Sequence, residues 1–234
     1  MALLALLAGQ IAAFTAPPDR VQGQVQRIMY VHVPSAWAMY LTVIVVGVSS
    51  LLYLITRQWR WDLIAHAAGE LAVVLCGLAL VTGGIWGKPT WGTWWTWDAR
   101  LTSTALMFII FAGYLLLRSF VEDPGRRARL AAVVGIIGLA DVPIIHLSVY
   151  WWRTLHQAPS VLRPPVVLRT QGPAIEDPRM LAALLINVAA FTLLYFFFLI
   201  HRVRLGQLQG ELEAPKPEMA PLAAGAVHVE GGAG

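Results

Sequence analysis

Residues 86 to 100 read W-G-K-P-T-W-G-T-W-W-T-W-D-A-R, and five of the chain's ten tryptophans lie between Trp86 and Trp97. Membrane interfaces collect a tryptophan or two as anchors, which accounts for Trp37 or Trp86 but not for such a cluster. Indole faces at this density suit a large planar ligand, since stacked or edge-on aromatic contacts add about 0.5–1.5 kcal/mol each beyond burial. Trp91, Trp94 and Trp95 stand at i, i+3 and i+4, so the spacing predicts a short interfacial helix presenting one aromatic face. Gly87 and Gly92 would let a backbone or a ligand approach that face.

Imidazoles and guanidinia accompany the indoles. Of the six histidines, His32, His146 and His156 flank the same stretches as the tryptophans, whereas His66, His201 and His228 fall elsewhere. A lone histidine is by default a structural hydrogen-bonding residue, and His146, just after Pro143 and near Asp141, reads equally well as part of a helix contact. His66 and Glu70, at i and i+4, read either as an ion site or as a simple pair. Lys88, Arg100, Arg153 and Arg163 fall in segments expected on the same side of the membrane as the aromatic stretch, and a guanidinium fork binds carboxylates bidentately. A haem makes all three demands at once: a flat ring, an iron that takes imidazoles, and carboxylate side chains.

The elements that must position these groups are membrane helices. The chain has 234 residues, 58% of them hydrophobic and 13% charged, with a mean hydropathy of +0.65. A soluble domain carries about twice that charged fraction. About 20 apolar residues span a bilayer, and runs at 33–55, 64–86, 101–120, 130–147 and 181–200 approach or meet that length. A sixth, 2–16, lacks the basic flank and cleavage site of a signal peptide and reads as a short first span, trimmed by a late start codon. The fold expected is an all-α integral membrane protein, a bundle of about six transmembrane helices with a Trp-rich loop on the periplasmic side. Residues 1–200 would form the membrane domain and 201–234 a disordered cytoplasmic tail.

With six spans, segments 17–32, 87–100 and 148–180 share one side. Basic residues split almost evenly, but the short connectors R-Q-W-R and G-R-R-A-R on the other side are of the cytoplasmic kind. The tryptophans therefore face outward. The single cysteine, Cys76, excludes disulfide chemistry, a C-x-x-C pair and covalent haem attachment through C-x-x-C-H. No P-loop is present, so the chain does not hydrolyse ATP by that route. The net charge of +4 reflects juxtamembrane arginine and gives no sign of nucleic-acid binding.

W-G-T-W-W-T-W-D, from Trp91 to Asp98, resembles the tryptophan-rich WWD signature of the haem-handling proteins of cytochrome c biogenesis. The segments Y-V-H-V-P-S-A-W (30–37), V-T-G-G-I-W-G-K-P (81–89) and P-I-I-H-L-S-V-Y-W-W-R-T-L-H-Q (143–157) narrow the likeness to the CcmC, or haem exporter protein C, type, over about 30–200. The resemblance implies that His32 and His156 are axial ligands of a non-covalently held haem b. It implies that Trp91, Gly92, Trp94, Trp95, Trp97, Asp98 and Arg100 contribute to the binding surface, on the periplasmic face of a bacterial inner membrane. The expected partners are the haem chaperone CcmE, the CcmA–CcmB ABC transporter, CcmD and the lipid bilayer. The chain would then be a binding and delivery protein rather than an enzyme. Two alternatives remain: a transporter of haem or another small molecule, for which polar groups at mid-membrane would be expected, and a b-type haem electron carrier with histidines facing each other inside the bilayer.

Overall fold

The computed structural model describes residues 1–157, 175 and 177–213. Its helices are α1 (Ala2–Thr15), a 3-10 turn (Gln24–Ile28), α2 (Met29–Thr56), α3 (Trp59–Trp91), α4 (Ala99–Phe120), α5 (Pro124–Trp151) and α6 (Pro178–Glu213). The architecture is the helical membrane bundle expected, with five helices long and apolar enough to cross a bilayer. Helix α1 has 14 residues, about 21 Å at 1.5 Å per residue, which is short of the roughly 30 Å hydrocarbon core. It lies against α6, where Asn187 Nδ2 donates to the Gly9 carbonyl at 2.9 Å.

Helices α2, α3, α4 and α5 form a ring in which each packs on the next, while α2 and α4 hardly touch across the diagonal. Helix α6 covers α2 and α3 from outside. Close approach comes from small residues. On α3 the buried stripe Ala65, Ala68, Ala72, Cys76 and Ala79 recurs at helical spacing. At Gly138 and Gly69 an added Cβ would lie within 3 Å of the rings of Phe111 and Tyr114 respectively.

The connectors at the end of the bundle away from the tryptophans are short, and local chemistry sets them. Arg57 ends α2 in the left-handed conformation (φ 56°). Asp123 caps α5, with Pro124 as its first residue. At this end Arg118 of α4 grips Asp62 of α3 bidentately, Nη1–Oδ1 at 2.7 Å and Nη2–Oδ2 at 2.8 Å. Glu70 of α3 is held by both arms of Arg202 of α6, leaving His66 Nε2 at 3.8 Å. The i, i+4 pair is therefore secondary to an interhelical one, as the bidentate guanidinium favours.

Two expectations need correction. The aromatic stretch is not a short helix: Trp91 is the last residue of α3, Gly92 closes it at φ 78°, and 93–98 are non-helical. The left-handed turn that glycine permits ends the helical register, so Trp94 and Trp95 no longer share a face with Trp91. Secondly, α6 runs past the expected boundary at 200 to Glu213. His228 and the rest of the tail, like Arg163, lie outside the described residues.

Candidate functional site

The helix ends next to the tryptophan stretch enclose a cavity of about 350 Å³ that contains both of the favoured histidines. His32 lies in the first turn of α2 and not in a loop, because the helix begins at Met29. His156 lies beyond the end of α5, in an irregular segment. They are 124 residues apart by numbering (156 − 32), yet their ring centroids are 6.4 Å apart with planes at 42°.

That separation has a chemical meaning. A metal–imidazole bond is about 2.0–2.1 Å and a ring centroid lies roughly 1.1 Å behind its nitrogen, so two imidazoles on opposite sides of one ion have centroids about 6.3 Å apart. Each ring also has its inner nitrogen engaged. His32 Nδ1 is 3.1 Å from Thr82 Oγ1, and His156 Nδ1 is 2.8 Å from the Gln157 carbonyl. Tying Nδ1 in this way orients a ring and leaves Nε2 for a metal. Burial first, and then the Arg100 charge, push His156 down to about 3. It is therefore neutral at physiological pH, the form that ligates metal.

Indoles brace the rings edge-on. Trp86 meets His32 at 5.7 Å, and Trp91 meets His156 at 6.1 Å. Trp86 is itself anchored by Nε1 donation to Gln22 Oε1 at 2.8 Å. Trp86, Trp91 and Trp95 line the cavity, whereas Trp94 and Trp97, 60% and 82% exposed, do not. Gly92 serves the turn: an added Cβ there would meet nothing within 4 Å. Asp98 also acts on the backbone. Its Oδ1 accepts from Leu101 N at 2.9 Å and caps α4, while its Oδ2 accepts from Leu155 N at 3.3 Å, joining the tryptophan motif to the segment that carries His156. Thr154 Oγ1 donates to the His156 carbonyl at 3.0 Å.

Of the basic candidates, Arg100 lines the cavity, and its Nη1 is buried with no hydrogen-bond partner among the described residues. A buried cationic donor without an acceptor is costly, so this atom suits an anionic group of a ligand. Lys88 instead caps α3 through the Gly92 carbonyl at 3.0 Å, and Arg153 is exposed. His66 and His201 belong to the opposite end of the bundle. His146 does line the cavity, with Tyr40 edge-on at 6.3 Å. Thr82 and Gly83 escaped the sequence reading, although V-T-G-G-I-W carries them. Gly83 leaves space for His32, whose Cε1 would lie 3.0 Å from an added Cβ.

Cavity, imidazole pair, aromatic braces and buried guanidinium together fit a planar, anionic metal complex. Comparison with known proteins agrees. Residues 1–217 match the family model described as heme exporter protein C. The heme exporter protein C of Bradyrhizobium diazoefficiens is 42% identical over 196 residues, covering 82% of this chain and 71% of that protein. That of Haemophilus influenzae is 39% identical over 203 residues, 86% and 78% of the two chains. That of Escherichia coli K12 is 36% identical over 190 residues, 81% and 73%.

Proposed function

Because the chain belongs to the heme exporter protein C (CcmC) family, whose members handle haem for cytochrome c maturation, we propose that it holds haem b non-covalently between His32 and His156 and delivers it to the chaperone CcmE. The observation that carries this reading is the imidazole pair, 6.4 Å apart in one cavity. Trp91 and Trp95 flank the ring and Arg100 takes a propionate. Trp94 and Trp97 extend the aromatic surface outward, and Gly92 and Asp98 hold its shape. The iron supplies the bond that keeps the cargo in place.

The site lies at the periplasmic face of the bacterial inner membrane. Its sidedness rests on the basic connectors at the other end of the bundle, Arg57, Arg60, Arg126, Arg127 and Arg129. The two ligands differ in mounting: His32 rides on a membrane helix and His156 on an irregular segment. Release therefore begins at His156, whose displacement needs no movement of the bundle. CcmA–CcmB and CcmD act on the loaded chaperone, downstream of this site.

The test of delivery is haem transfer from the loaded, detergent-purified protein to apo-CcmE, followed by absorption. Transfer that needs His156 but leaves this chain folded is the expected result. A protein that keeps its haem through equimolar CcmE under reducing and oxidising conditions would refute delivery. Transport by this chain is the second reading: Glu70, Asp62 and Arg118, towards one end of the bundle, are paired with one another or with Arg202, which favours a structural role for them, whereas Asp141 of α5 is buried with Oδ2 unpartnered among the described residues. In the Gly83→Ala variant, the added methyl crowds His32. The expected outcome is a displaced Soret band and an affinity about 10–100-fold lower, the range seen when groups supporting a metal ligand are altered.

A further inference from the structure

The cavity has a polar side that the ligand pair does not use. Tyr40 lies two turns further into α2 than His32, and His146 lies more than a turn before the end of α5; with Arg100, in the first turn of α4, they line the same space. Tyr40 and His146 meet edge-on at 6.3 Å, and Arg100 is within electrostatic range of both. Neighbouring lining groups are apolar: Met39, Ala79, Leu80 and Ile145. The hydroxyl of Thr104 is already committed to the Arg100 carbonyl at 2.8 Å. Three helices thus converge three donor-bearing side chains on one spot, one of them with a buried, unpartnered N–H.

Buried donors of this kind call for an acceptor, and a guanidinium with a phenol and an imidazole beside it matches a carboxylate. Arg100 is the one permanently cationic side chain among the described residues that line the cavity, which Trp91 and His156 line as well. The geometry points to a carboxylate-binding subsite formed by Tyr40, Arg100 and His146, which seats a porphyrin with its acid-bearing edge inward and its apolar edge at the opening. This rests on the haem reading above and adds to it a rule of selection: the free dicarboxylic acid is accepted and its ester is not. His146 acts here as a donor and not as a third iron ligand.

The experiment compares binding of iron protoporphyrin IX and its dimethyl ester to the purified full-length chain in detergent. The native protein is expected to prefer the free acid by at least about tenfold, as the loss of a charge-assisted hydrogen bond implies. Tyr40→Phe and His146→Leu should each shrink that preference, while the Soret position set by the two imidazoles stays where it is. Equal affinity of the native protein for acid and ester would overturn the subsite while leaving haem binding intact. So would a preference that persists unchanged in both variants. Failure to bind either compound would remove the haem reading itself, and the subsite with it.

Discussion

The His32→Ala/His156→Ala variant should purify as a folded membrane protein without the bis-imidazole Soret band and sharp visible bands of the native chain. The expectation follows from how the two rings are held. Each has Nδ1 tied, to Thr82 and to the Gln157 carbonyl respectively, and both rings line one cavity. Altering a group that merely supports a metal ligand costs about 10–100-fold in affinity, so losing both ligands should cost more. Folding should survive, because neither imidazole belongs to the interhelical ion pairs at the other end of the bundle. The single variants should differ: His156→Ala opens the site on its irregular segment, whereas His32→Ala removes the ligand held on a helix. His66→Ala and His201→Ala should bind haem as the native protein does, since both lie at the opposite end of the bundle from the cavity. Absorption spectra of the native protein and the five variants decide the matter. A native-like Soret band in the double variant would sink the assignment, and equal losses in all variants would show only general damage.

Arg118→Ala is expected to be the most damaging single change to stability. Asp62 is 3% exposed and Arg118 8%, and their two hydrogen bonds clamp the start of α3 to the end of α4. Removing the arginine strands a carboxylate inside the bundle, and breaking a buried pair in this way costs about 3–5 kcal/mol. The same pair replaced as a unit, Asp62→Leu with Arg118→Met, should recover most of the loss, because no unpaired charge remains. Thermal unfolding of the three proteins in one detergent tests both statements. An Arg118→Ala midpoint within a degree or two of native, or a double variant no better than the single one, would contradict the account.

Much of this protein could be read along the chain, because its strongest signals are local. Apolar runs set the positions of the spans, since a bilayer demands about 20 such residues whatever their partners. The cluster of tryptophans with Asp98 and Arg100 pointed to a planar anionic ligand through residue type alone. Helix ends were less legible. Trp91 belongs to a spanning helix because α3 continues through Pro89 to Gly92, beyond the apolar stretch that marked it in the sequence. The same glycine turns the chain, so that Trp91 and Trp95 face the cavity while Trp94 and Trp97 face out.

By itself, then, the sequence determined a helical membrane protein with an aromatic, arginine-bearing segment at one end, and through W-G-T-W-W-T-W-D its family. Tertiary structure alone decided which groups meet. Packing of α2 against α3 sets Thr82 behind His32, and Asp98 draws the segment before His156 back to the motif, closing a 124-residue separation to one cavity. The pairs Asp62–Arg118 and Glu70–Arg202 were equally hidden, being 56 and 132 residues apart. Hydropathy is a property of each residue and its neighbours, whereas the meeting of two buried polar groups depends on which helix faces are pressed together.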